Sequence, residues 1–89
     1  MIERELVIMN RLGLHARAAA RFVHLASRFR SRILLVKDGL HVDGKSILGL
    51  LTLAGCQGSS LQLHVEGEDE EDAARELAAL VEGRFGEAS

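Results

Sequence analysis

One short segment limits the folds open to this chain more than any other feature. In residues 61–66, whose sequence is LQLHVE, apolar and polar residues alternate at every position. Successive side chains of a strand point to opposite faces, so this pattern predicts a strand with one buried face and one solvated face. A sheet with one solvated face carries its helices on the other face, which is typical of antiparallel sheets.

Capping residues and periodicity predict the elements that surround this strand. Ser46 precedes an apolar run and Gly55 follows it, which predicts a short helix with both ends marked. Asp38-Gly39 predicts a type I′ hairpin turn, because both central residues of that turn need positive φ. The predicted strands are residues 2–9, 33–37, 40–43 and 61–66, and the predicted helices are residues 16–30, 47–54 and 69–85.

The resulting order of elements is β-α-β-β-α-β-α. We therefore expect an α+β fold, an open-faced β-sandwich in which a four-stranded antiparallel sheet carries three helices on one face. No linker or low-complexity segment divides the 89 residues, so we expect a single domain over residues 1–89. The residues of the first helix expected to be buried are Ala19, Phe22, Val23, Ala26 and Phe29.

Composition excludes several classes of protein. A net charge of −2 and an aromatic content of 3% give neither the basic surface nor the rings that nucleic-acid binding uses, so we expect no nucleic-acid partner. The single cysteine, Cys56, excludes a disulfide framework, and no ligand spacing predicts a metal or other cofactor. Neither a secretory signal nor a membrane-spanning stretch is recognisable, so we expect a cytoplasmic protein without membrane insertion.

His15 is the residue best placed for chemistry, because it lies just before the first predicted helical residue. The first backbone N–H groups of a helix have no internal acceptor, so those of Ala16, Arg17 and Ala18 are expected to bind an anion such as phosphate. The guanidinium of Arg17 would bind phosphoryl oxygens as well. Judged on spacing alone, a simple cap or a solvated residue is the favoured interpretation of a histidine in front of a helix.

Two surfaces of the predicted helices are candidates for docking. Arg17, Arg21, His24 and Arg28 share one stripe of the first helix, with Ala20 near its edge. The stripe is consistent with an ordinary solvated face or with a docking site for acidic partners.

On the second helix, Ile47, Leu48 and Leu51 lie on a different side from Leu50 and Leu53. A helix on one side of a sheet buries a single stripe, so we expect the first three residues to form an exposed apolar docking surface. The alternative is that the last helix or a loop covers them.

Two segments resemble those of a known family. The octapeptide GLHARAAA at residues 13–20 is similar to the phosphohistidine motif of the HPr family, the histidine-containing phosphocarriers of the bacterial phosphoenolpyruvate-dependent sugar phosphotransferase system. The segment KSILGLLTL at residues 45–53 is similar to the regulatory-serine motif of the same family. Both segments lie at the expected places, and the order of elements fits along the whole chain.

This resemblance implies a function and a set of partners. His15 would accept a phosphoryl group on Nδ1 from phosphorylated enzyme I and donate it to enzyme IIA components, with Arg17 assisting. Ser46 would be a regulatory site for HPr kinase/phosphorylase. The docking residues would be Ala20, Arg21, His24, Ile47, Leu48 and Leu51. Such a carrier is not an enzyme, and we expect it to be a monomer.

One residue departs from the family pattern, since Ala18 stands where the motif normally has proline. Alanine favours helix, so the local geometry is compatible with either residue. The departure leaves open whether the chain serves sugar uptake or the nitrogen-related branch. A mainly regulatory protein, in which Ser46 is the switch, and a small ligand- or nucleic-acid-binding α/β domain, which the low aromatic content weakens, are the alternative functions.

Overall fold

The strand with the alternating sequence lies in the interior of the sheet. In the computed structural model, which describes all 89 residues, the strands lie in the order β1-β4-β2-β3, and every neighbouring pair is antiparallel. The strand bounds are Ile2–Val7 for β1, Arg32–Lys37 for β2, Leu40–Asp43 for β3 and Ser60–Glu66 for β4. β4 therefore receives backbone hydrogen bonds on both sides.

The two faces of β4 differ as its alternation predicts. Leu61, Leu63 and Val65 are at most 1% exposed, whereas Gln62 and Glu66 lie at the surface. The register continues this inner face across the sheet, since Leu63 lies opposite Leu35 of β2, which is also buried. The inner face is thus apolar along β4 and at Leu35 of β2 and requires a cover, whereas Arg4 of β1, opposite Leu63, is exposed at the edge of the same face.

Three helices supply this cover. Their bounds are Ala16–Ala26 for α1, Ile47–Leu53 for α2 and Glu70–Glu82 for α3. Together with the inner face of the sheet they enclose one core of 21 buried apolar residues. The predicted open-faced α+β sandwich is confirmed. None of these helices has both the length and the apolar sequence needed to span a membrane.

The hairpin between β2 and β3 has the predicted turn. Asp38 has φ 50° and Gly39 has φ 79°, so both central residues adopt the left-handed region that a type I′ turn requires. Asp38 tolerates this conformation better than most residues with a Cβ, and Gly39 does so without strain. The turn therefore has the type that the Asp38-Gly39 dipeptide predicts.

The first helix was predicted to extend to residue 30 and ends at Ala26 instead. The next residues form turns, and the carboxylate of Asp69 accepts the backbone N–H groups of Arg30 and Ser31 at 2.9 and 3.0 Å. These bonds attach the segment between α1 and β2 to the start of α3. Phe29, beyond the helix end, and Val23, within the helix, were predicted to be buried, but both are half-buried and pack at the edge of the core.

The last helix was predicted to reach Phe85 and ends at Glu82. Arg84 and Phe85 have φ values of 61° and 54°, which turn the chain sharply out of the helix. The ring of Phe85 is nevertheless 1% exposed, as its place in the apolar pattern predicted. The sharp turn directs residues 86–89 back across the start of α1.

The remaining boundaries differ by one or two residues. β1 ends at Val7 rather than at residue 9, although Ile8 still exchanges backbone hydrogen bonds with the loop before β4. α2 ends at Leu53, because Ala54 adopts a left-handed conformation with φ 53° and caps the helix one residue earlier than predicted. None of these shifts changes which residues line the core.

Asp69 supports a prediction about acid stability. Hydrogen bonds, above all from the Ser31 hydroxyl and the Arg30 N–H, lower the pKa of Asp69 from 3.8 to about 2. Because the folded-state pKa is the lower one, this carboxylate stabilises the protein above pH 3.8, and the stabilisation is lost as the pH falls toward 2. We expect Asp69→Ala to lower the Tm at neutral pH, with the difference from the unmodified chain shrinking between these two pH values.

The matched control for that experiment is Asp72→Ala, which removes an exposed carboxylate that contacts only Arg75. Thermal unfolding followed by circular dichroism from neutral to acid pH measures both variants. A Tm difference for Asp69→Ala that stays constant down to pH 2 would contradict the assignment.

Candidate functional site

His15 occupies the N-cap position of α1. Its backbone is extended, with φ −76° and ψ 174°, and its carbonyl accepts the N–H of Ala19 at 2.9 Å. Its side chain does not cap the helix, in contrast to the usual serine, threonine or aspartate at this position. The imidazole is 28% exposed and is therefore accessible from solvent while remaining close to the helix end.

The first backbone N–H groups of α1 are free. Those of Ala16, Arg17 and Ala18 donate to no protein acceptor, and the first helical hydrogen bond is donated by Ala19. Unpaired N–H groups at the positive end of a helix bind anions, so a phosphoryl group attached to the adjacent imidazole would find donors in place.

A close approach between two loops fixes the position of His15. Gly13 has φ 69°, and a Cβ built on it would lie 2.3 Å from the carbonyl oxygen of Gly55. The next residue, Leu14, donates its N–H to that same oxygen at 2.9 Å. Glycine is therefore required at position 13, and the loop before α1 is attached to the loop that follows α2.

Arg17 is exposed and makes neither an ion pair nor a side-chain hydrogen bond in the structure. Its guanidinium is thus free to contact an anion near the start of α1. No cluster of three or more histidine, cysteine or acidic side chains has a geometry that could hold a metal ion.

The other residues of the predicted basic stripe have different environments. His24 is exposed and Ala20 is half-buried. Arg21 is exposed as well, but its Nη1 donates to the carbonyl of Phe85 at 2.5 Å. Arg21 therefore holds the end of the chain against α1 in addition to contributing positive charge.

Glu87 is a site residue that sequence reasoning missed. Its Oε2 lies 2.5 Å from Nε2 of His15, and its Oε1 accepts a hydrogen bond from Nδ2 of Asn10 at 3.0 Å. The hydrogen bonds from Asn10, first, and from His15, second, lower the pKa of Glu87 below its ordinary value of 4.5. Because the partners are 72 positions apart in the chain, no local pattern could have signalled this pair.

Ser46 is the N-cap of α2, and its Oγ accepts the N–H of Gly49 at 3.0 Å. The side chains that follow it divide into two groups. Leu50 and Leu53 are at most 3% exposed and belong to the core. The other group, which we call the α2 patch, consists of Ile47, Leu48 and Leu51, with exposed fractions of 43%, 75% and 38%.

The geometry thus combines an accessible histidine at a helix N-terminus, free backbone donors, an unpaired arginine and an exposed apolar patch. The family model described as "PTS HPr component phosphorylation site" matches residues 2–83 of the chain. The phosphocarrier protein HPr of Neisseria meningitidis is 44% identical over 87 residues, which cover 98% of each protein.

Solved structures agree with this match. The crystal structure of HPr-C-His from Thermoanaerobacter tengcongensis has a TM-score of 0.96 and 46% sequence identity, and the alignment covers all of both chains. A crystal structure of an HPr dimer from the same organism is 47% identical, with a TM-score of 0.78 over 98% of this chain and 100% of the other. That dimer weakens the expectation of a monomer for this fold.

A match over nearly the whole chain in both sequence and structure leaves one assignment. The chain belongs to the HPr family, the phosphocarrier proteins of the phosphotransferase system, which carry phosphoryl groups and are not enzymes.

Proposed function

We propose that this chain accepts a phosphoryl group on Nδ1 of His15 from phosphorylated enzyme I and passes it to enzyme IIA components in sugar uptake. The observation that carries the proposal is the position of the imidazole, beside three free N–H groups of α1. With these partners the protein would act in the cytoplasm.

The transfer requires no proton movement at the reacting atom. The Nδ1 lone pair attacks phosphorus, a P–N bond forms, and the bond between phosphorus and the donor breaks as the donor retains its electron pair. The additional negative charge then lies next to the backbone donors of Ala16, Arg17 and Ala18, and the Arg17 guanidinium is free to neutralise it. Transfer to the acceptor reverses these steps.

The α2 patch is the proposed docking surface for the donor and acceptor proteins. It belongs to the helix whose C-terminal loop contacts the His15 loop through the bond between Leu14 and Gly55. Ala20, Arg21 and His24 would extend this surface along α1 and attract acidic partners. Because a carrier must dissociate rapidly, a small surface with a few apolar anchors is sufficient.

Ser46 is the proposed regulatory site, modified by a dedicated serine kinase. Its half-exposed hydroxyl lies directly before Ile47 and Leu48. A phosphate there would place negative charge beside the α2 patch and weaken docking without unfolding the domain. If the chain is mainly regulatory, this serine, rather than His15, is the residue that its function requires.

The first test is intact-mass measurement after incubation with phosphoenolpyruvate and enzyme I. We expect an acid-labile gain of one phosphoryl group in the unmodified chain and in His41→Ala, an exposed histidine on β3, but no gain in His15→Ala. An unmodified mass, in a mixture that phosphorylates another HPr, would refute the carrier function. An acid-stable gain would instead indicate Ser46.

Arg17→Ala is expected to slow phosphoryl transfer by about tenfold to a hundredfold, the effect of losing a charge-assisted hydrogen bond of about 1.5–3 kcal/mol. Rapid-quench measurement of transfer from phosphorylated enzyme I gives the rate. Arg75→Ala, which removes an exposed arginine of α3, is the control. Equal rates for the two variants would argue against a role for Arg17.

Leu48→Asp is expected to weaken enzyme I binding about fivefold or more, while stability changes by no more than about 0.5 kcal/mol. Leu40→Asp places the same charge at another exposed leucine, in β3, and should leave binding unchanged. Calorimetric titration and thermal unfolding measure the two effects. A large loss of stability in Leu48→Asp would mean that this residue is part of the core.

A further inference from the structure

Residues 85–89 are held across the His15 loop by contacts on several sides. The Phe85 ring is buried, its carbonyl accepts Nη1 of Arg21, and the carbonyl of Ser89 accepts the N–H of Arg11 at 3.0 Å. Glu87 lies between these two attachment points. Its carboxylate is therefore placed at the imidazole by the fold and is not a freely rotating surface group.

Asn10 orients this carboxylate. The residue is fully buried, and its Nδ2 donates both to Glu87 and to the carbonyl of Gly13, at 3.0 and 2.8 Å. Both partners are acceptors, so the amide nitrogen, rather than Oδ1, must face them. One buried side chain thus connects the carboxylate to the loop that carries His15.

The contact with His15 has only one consistent proton arrangement. The lowered pKa of Glu87 keeps the side chain ionised at neutral pH, and an ionised carboxylate can only accept hydrogen bonds. Nε2 of His15 must therefore carry the proton that lies between the two groups. In the neutral ring, Nδ1 is then the unprotonated nitrogen, and Nδ1 makes no hydrogen bond in the structure.

We propose that Glu87 is a positioning residue for phosphoryl transfer, which holds the proton of His15 on Nε2 and leaves the lone pair of Nδ1 available to the phosphoryl group. This proposal rests on the proposed function of His15. The contacts of residues 85–89 would then have a role in the reaction, because they hold Glu87 at the imidazole.

The same carboxylate would act during the transfer. When the P–N bond forms at Nδ1 and the donor's bond to phosphorus breaks, the ring becomes positively charged while Nε2 retains its proton. Glu87 offsets that charge at 2.5 Å. The other charged groups of this site are the Arg17 and Arg21 guanidinium groups of α1, so Glu87 is the only anion hydrogen-bonded to the imidazole.

Nuclear magnetic resonance of the unphosphorylated chain tests the proton arrangement independently of any partner. With ¹⁵N-labelled histidine, we expect a strongly downfield, slowly exchanging Nε2 proton at His15. The signal should persist in Glu82→Gln, which changes an exposed acid at the end of α3 that contacts only Arg4. It should be lost in Glu87→Ala and move upfield in Glu87→Gln. An unchanged signal in both Glu87 variants overturns the proposal.

Transfer kinetics test the consequence. We expect Glu87→Gln to lower the maximal rate of transfer from phosphorylated enzyme I by about tenfold, through loss of a charge-assisted hydrogen bond. Glu87→Asp, which keeps the charge, should recover part of the rate.

These outcomes separate the two proposals. If the unmodified chain is never phosphorylated, the carrier function itself fails. If it is phosphorylated and Glu87→Gln matches it in both the transfer rate and the Nε2 proton signal, the role of Glu87 alone is refuted. Backbone amide spectra identify a variant whose residues 85–89 have detached, and in that case the charge-retaining Glu87→Asp variant decides.

Discussion

The contact between Gly13 and Gly55 joins the loop that carries His15 to the loop that follows α2. A side chain at position 13 would collide with the Gly55 carbonyl, and the same carbonyl accepts the N–H of Leu14 at 2.9 Å. The loop that ends at His15 and the loop that follows the α2 patch are therefore held against each other. If partners dock on the α2 patch, as proposed, this attachment fixes the position of the imidazole relative to them.

Hydrogen-bond donors and one carboxylate both lie near the imidazole of His15. The free N–H groups and Arg17 lie at the start of α1, whereas the Glu87 carboxylate contacts the ring through Nε2. In the proposed phosphorylated state, the phosphoryl group would be on Nδ1 and the carboxylate would contact Nε2, the other nitrogen of the same ring. The arrangement separates the two negative groups by the width of the imidazole, which limits their repulsion.

Two polar side chains, Asp69 and Asn10, connect segments that are distant in the sequence. Asp69 accepts the N–H groups of Arg30 and Ser31, just before β2, and it is also the N-cap residue of α3. Asn10 uses its buried amide to link the His15 loop to Glu87. Both residues are short polar side chains whose hydrogen bonds within the protein replace those with water, so each contact is stable only when the whole fold is formed.

The sequence by itself determined the elements, the buried face of the sheet and the candidate site, because these depend on neighbours in the chain. The alternation around Leu63, the Asp38-Gly39 turn, the Ser46 cap and the motif around His15 are all local. Only the tertiary structure decided that α1 ends at Ala26, that the chain reverses at Phe85 and that Glu87 contacts His15. These features depend on pairs up to 77 residues apart, and no periodicity or spacing encodes which distant side chains the packed core brings together.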